Sequence, residues 1–108
     1  MVEEESLLAF LADQGHLLAS DGLARIPVPT TSSRQYRLEG AAGDGRIAVY
    51  EFATDADARR GLQLLRREAR DRTDRSLFVR GRLMVLYQGN DPGLRFSLRR
   101  ALGAPNSL

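Results

Sequence analysis

The side chains with chemistry to offer in this chain are few, and most of them are arginines. Arg59, Arg60, Arg66, Arg67 and Arg70 fall in one stretch, with Arg59, Arg66 and Arg70 recurring at i, i+7 and i+11. On a helix that spacing lines guanidinium groups along one face, where they could neutralise several phosphates. No aromatic residue interleaves with them to stack on bases, and only Gln63 offers an amide beside them, so the stripe reads first as a solvated helix face. Glu51 is the second candidate. The alternation of Arg46–Phe52 sets it on the side of Ile47 and Val49, where a carboxylate must reach water, pair with an arginine or keep its proton. An enzyme centred on Glu51 would need a second carboxylate or a nucleophile, and none stands at a usable spacing.

Other polar residues have structural explanations. His16 has no second histidine with which to share a metal, and beyond a helix end it reads as structural or solvated. Asp55, Asp57 and Asp91 suit helix caps and first turns. The glycine-rich run over residues 40–45 lacks the strand-to-helix setting and the lysine of a phosphate loop, and reads as a hairpin tip. The absence of cysteine excludes disulfides, thiolate nucleophiles and thiolate zinc sites. We expect no cofactor and no metal site.

The elements that would position these residues can be read from periodicity. Residues 2–14 predict a helix with Glu3, Glu4 and Glu5 in its first turn, Leu7, Leu8, Phe10 and Leu11 as its apolar side, and Gly15 just past its end. Residues 16–33 read as a turn at Asp21 and Gly22, a short extended piece over 23–28 held to a sheet edge by Pro27 and Pro29, and a loop. Strands follow over 34–39 and Arg46–Phe52; the second is apolar on both sides and is the candidate centre of the sheet. Thr54 caps a helix running to about residue 72, with Ala58, Leu62, Leu65 and Ala69 facing the core and the arginines opposite. Residues 77–79 and 83–87 flank Arg80-Gly81-Arg82, a tight hairpin in which Gly81 supplies a positive φ. Asn90-Asp91-Pro92 opens a last helix that ends at Gly103, and residues 104–108 read as a flexible tail. In that helix Phe96 lies away from the arc of Leu94, Leu98, Ala101 and Leu102. Either the helix is covered on two sides, or Phe96 meets a partner or a second copy.

Together these elements predict one α+β domain over residues 1–103: a mostly antiparallel sheet of four or five strands, a central helix on one face and a helix at each terminus. A chain of 108 residues with 43% hydrophobic and 28% charged residues supports one core of ordinary composition. No apolar run approaches the roughly 20 residues of a membrane span, so we expect no membrane insertion. The acidic start is neither a signal nor a transit peptide, which reads as cytoplasmic, or as anchored outside the cytoplasm if an upstream segment has been trimmed. All 16 cations are arginine and they are segregated: residues 1–58 carry a net −6, residues 59–82 a net +6 and residues 83–108 a net +2. The basic segment either pairs with acids of the same fold or meets an anionic partner.

Ala48-Val49-Tyr50-Glu51-Phe52, Ala58, the run from Leu77 through Arg80-Gly81-Arg82 to Gln88-Gly89-Asn90-Asp91, and Leu102-Gly103 together resemble a poorly characterised domain of small bacterial lipoproteins. The resemblance covers most of residues 5–103. It implies the same succession of helix, strand, helix, hairpin and helix, and brings no catalytic residues. Such lipoproteins carry a lipidated cysteine, which this chain lacks, and often a Trp and a Pro-His pair where this chain has residues 71–76. The resulting expectation is a non-catalytic binding or interaction module acting on a protein partner or on itself. Nucleic-acid or polyanion binding through the arginine face is the alternative, and a small enzyme at Glu51 the second alternative.

Overall fold

The computed structural model describes residues 4–23, 26, 28–39, 45–69 and 74–105. In chain order these form α1 (Glu4–Asp13), β1 (Leu17–Ser20), β2 (Thr30–Glu39), β3 (Arg46–Phe52), α2 (Asp55–Ala69), β4 (Arg75–Arg80), β5 (Leu83–Gln88) and α3 (Pro92–Leu102). The five strands make one antiparallel sheet in the order β1-β2-β3-β5-β4. This is the α+β class expected from the sequence, with β3 at the centre of the sheet.

β3 is central because it is apolar on both faces. Ile47 and Val49 point to the layer of α1 and α3, where Leu7, Leu11, Leu94, Leu98 and Leu102 cover them. Ala48, Tyr50 and Phe52 point the other way, into a second cluster with Ala58 and Leu65 of α2 and with Leu77 and Met84. The sheet is thus the middle of three layers, each face screened from water by helices. Among the described residues, no helix is long and apolar enough to cross a membrane.

Local chemistry sets the element ends. Asp91 has extended backbone angles and its Oδ1 accepts the Gly93 and Leu94 N–H groups at 2.9 and 3.3 Å, so it caps α3 with Pro92 in the first turn. Thr54 Oγ1 accepts the Asp57 N–H at 3.1 Å and caps α2. α1 ends where Gly15 turns left-handed (φ +87°), with the Gly15 N–H donating to Ala12 O and the His16 N–H to Leu11 O, both at 3.0 Å. That pair of bonds is the Schellman pattern. Gly81 has φ +62° while Arg82 stays out of the left-handed region, the signature of a type II′ hairpin turn.

The strand assignments are corrected in several places. Leu17–Ser20, assigned to no strand from the sequence, forms β1, paired through Leu18↔Leu38 and Ser20↔Tyr36. β2 begins at Thr30 rather than at residue 34, because Ser32 occupies an inward position and its hydroxyl finds a carboxylate there. Within residues 23–28, the described part is no strand; Val28 is buried against the α2-side cluster instead. β4 and β5 also run slightly longer than expected, at Arg75–Arg80 and Leu83–Gln88. The expected helix end at residues 70–72, most of the loop over 40–45 and the last three residues of the tail lie outside the described residues.

Candidate functional site

β3 delivers Glu51 to the α1 side of the sheet, and its Oε1 accepts the Glu4 N–H at 2.6 Å. A carboxylate there satisfies a donor that the helix itself cannot and sits at the positive end of its dipole. Glu4 in turn is buried, and its carboxylate accepts hydrogen bonds from Ser32 Oγ at 2.7 Å and Tyr36 OH at 3.1 Å. Burial, then the neighbouring Glu4 charge and hydrogen bond, push the Tyr36 hydroxyl above its ordinary pKa. A cleft of about 330 Å³ opens beside this cluster, with Arg34, Leu8 and Glu5 also on its wall. The sequence reading placed Glu51 correctly but offered it only water, an arginine or a proton. Its partner is a backbone N–H 47 residues away, which no local pattern announces.

The arginines of α2 lie on the opposite side of the sheet. Arg59, Arg60, Arg66 and Arg67 are all exposed, while Ala58 and Leu65 of the same helix are buried. Arg60 contacts Asp57 at 3.7 Å; this is a surface pair worth about 0–1 kcal/mol. Arg59, Arg66 and Arg67 have no carboxylate within 4.0 Å among the described residues, and Arg70 lies outside them. Asp55, at the start of the helix, is held by Arg82 Nε at 3.1 Å, whose Nη1 also donates to Ala53 O at 2.8 Å. Beside Arg59 a cleft of about 230 Å³ runs between α2 and the β4–β5 hairpin, floored by Ala58, Leu62, Val79 and Met84. Leu62, core-facing in the sequence reading, packs half-buried against the core cluster and also lines this cleft.

Phe96 is 62% exposed, with the Arg100 guanidinium 5.8 Å from the centre of its ring. A helix covered on two sides is therefore not the explanation for Phe96. No family model, curated protein or solved structure matches this chain. What the structure does bring together was partly invisible from the sequence. His16 Nε2 lies 2.9 Å from Ser97 Oγ and ties the end of α1 to α3, in line with a structural histidine. The fully buried Tyr87 accepts the Asp91 N–H on its hydroxyl at 2.8 Å, and burial raises its pKa. A polar cleft of about 430 Å³ lies at that end of the sheet, lined by Asp74, Gln88, Asn90 and Asp91 among others. Among the described residues, no three His, Asp or Glu side chains come together as a metal site.

The candidates therefore divide. Glu51 and Phe96 belong to the layer of α1 and α3, and the arginines to the layer of α2, so they do not converge on one centre.

Proposed function

We propose that this chain is a non-catalytic interaction module that works through exposed surface. The observation that carries the reading is the division of labour among its polar groups. Glu51, Glu4, His16, Thr54 and Asp91 are each engaged in a cap or a bond between elements. Arg59, Arg66, Arg67 and Phe96 do no comparable work inside the fold, and side chains held at the surface without an internal role are available to a partner. The resemblance of residues 48–52 and of the run over residues 77–91 to the lipoprotein domain, which brings no catalytic residues, supports the same reading.

The test is cross-linking in cells, identification of the partner and reconstitution of the pair from purified components. Saturable binary binding that weakens at least tenfold in Phe96→Ser or Arg66→Glu, with the melting temperature unchanged, is the expected result. A turnover that disappears in Glu51→Gln while the fold persists would replace the module with an enzyme.

A second reading, polyanion binding, draws on Arg59, Arg66 and Arg67 standing without carboxylate partners among the described residues. Fluorescence polarisation against labelled single-stranded and duplex nucleic acids decides it. Binding that survives near-physiological salt and is lost in Arg66→Glu would favour this reading, since neutralised phosphates impose a steep salt dependence.

A further inference from the structure

Arg59, Leu62 and Arg66 share one side of α2. At 100° per residue Arg59 and Arg66 lie about 20° apart, with Leu62 within about 60° of both, and the two arginines stand two turns apart, roughly 10 Å along the axis. That side overhangs the cleft between α2 and the β4–β5 hairpin, since Arg59 and Leu62 line it together with Val79 and Met84. Met84 is buried at the floor, Val79 and Leu62 are half-buried, and Asp55 at the rim has its charge matched by Arg82. The result is an apolar recess of about 230 Å³ with a guanidinium at its rim and a second one a further two turns along the helix.

We propose that this recess docks an acidic segment of a partner protein, in which one bulky apolar side chain enters the cleft and carboxylates to either side of it engage Arg59 and Arg66. This rests on the interaction-module reading and names its surface and the chemistry of its partner. Charge complementarity selects the occupant: guanidinium groups bind carboxylates through two parallel N–H···O bonds, and every cation of this chain is an arginine. The spacing selects it further. An extended chain rises about 3.3 Å per residue and its side chains alternate, so acids four positions apart, about 13 Å, share a face with the residue midway between them; long arginine side chains rooted roughly 10 Å apart can reach both acids while that middle apolar side chain enters the cleft. A nucleic acid would pair with the arginines but leave the apolar recess empty, and α2 carries no aromatic side chain on which a base could stack.

The probe is a short fluorescein-labelled peptide in which a single leucine stands midway between two glutamates four positions apart, on a glycine-serine background. Saturable binding to the full chain is expected. Affinity should fall at least tenfold when the leucine is replaced by serine, when the glutamates are replaced by lysines, and in the Arg59→Glu and Leu62→Gln variants. Arg99→Glu, an exposed position on α3, should leave affinity within about twofold, and circular-dichroism melting checks that each variant is folded. Equal binding of the peptide without leucine would reduce the site to bare charge and overturn the proposal. So would tighter binding of an equally charged oligonucleotide, indifference to Arg59→Glu, or concentration-dependent dimers abolished by Arg59→Glu, which would give the recess to a second copy. A partner that instead depends on Phe96 would overturn the recess while leaving the module reading standing.

Discussion

The two faces of the central sheet are held by different physics. On the α1 and α3 side, apolar packing is stitched by long-range polar bonds, Glu51 to the start of α1, Glu4 to Ser32 and Tyr36, and His16 to Ser97, together with the local bond from the Asp91 N–H to Tyr87. On the α2 side Arg82 bonds to Asp55 and Thr54 caps the helix at its beginning, and Ala58, Leu62 and Leu65 seat it on the sheet by contact between apolar surfaces. Directional bonds fix position at modest net energy, whereas apolar contact gives most of the energy and tolerates sliding. The stitched face is therefore the one whose geometry is specified. The packed face is the one that combines a firm hold with an outer surface left for other uses.

The sharpest way to break the packed face is Gly61→Ala. A Cβ there would press into the Phe52 ring, 2.6 Å from Cε1, because Gly61 of α2 sits against that ring of β3. Overpacking of this kind costs roughly 1–3 kcal/mol, read in a denaturant titration. Adding Phe52→Leu to Gly61→Ala should recover part of the loss; no recovery would show that the helix is not seated on that ring.

On the stitched face the largest single effect should come from Glu51→Ala, about 0.5–2 kcal/mol, as expected for loss of a helix-end acceptor. Glu51→Gln keeps an oxygen for the Glu4 N–H and should cost distinctly less. Equal losses would mean that the charge, and not the bond, secures α1. Ser97→Ala, which removes the partner of His16, should cost about 0.5–1.5 kcal/mol. Its effect should be visible as faster hydrogen exchange at the end of α1.

Tyr36 and Tyr87 mark the same face at alkaline pH. Both hydroxyls are pushed above their ordinary value of about 10, chiefly by burial. A folded-state pKa above the unfolded one means that the folded chain holds the proton more tightly. The associated stability is full below about pH 10 and is lost as pH rises through the raised values. An ultraviolet titration should show these two phenols ionising late, and Tyr36→Phe should flatten the alkaline decline in stability. A decline unchanged in both Tyr36→Phe and Tyr87→Phe would place its cause elsewhere.

How far the sequence could be read follows from the same contrast. β3, α2, the Gly81 hairpin and the Asp91 cap were legible because each is written in neighbouring residues: an apolar run, a helical period, a left-handed glycine, a capping side chain. β1 was missed because Leu17–Ser20 is short and its evidence lies in Leu38 and Tyr36 across the ladder. The start of β2 was missed because an inward-facing Ser32 breaks the apolar alternation, and only the fold supplies Glu4 as its partner. The arginine stripe was visible on α2, but the recess beside it was not, since Val79 and Met84 come from another hairpin. The side of the sheet on which Glu51 would lie was legible; its bond to the Glu4 N–H depended on where α1 docks.

The order of the strands has a kinetic consequence. β2 pairs with β3, and β4 with β5, each as strands adjacent in sequence, and α2 lies between the two hairpins in the chain. The ladder of Arg46–Glu51 against Leu83–Gln88 then joins the halves. Local hairpins close quickly, while a junction across an intervening helix must wait for loop closure. Folding should thus proceed as the docking of two preformed ribbons, with α2 sealing the junction from one side. Native-state exchange would detect the reverse: amides bonded between β3 and β5 should open together, as one cooperative unit, while β5 amides bonded to β4 outlast them within their own ribbon.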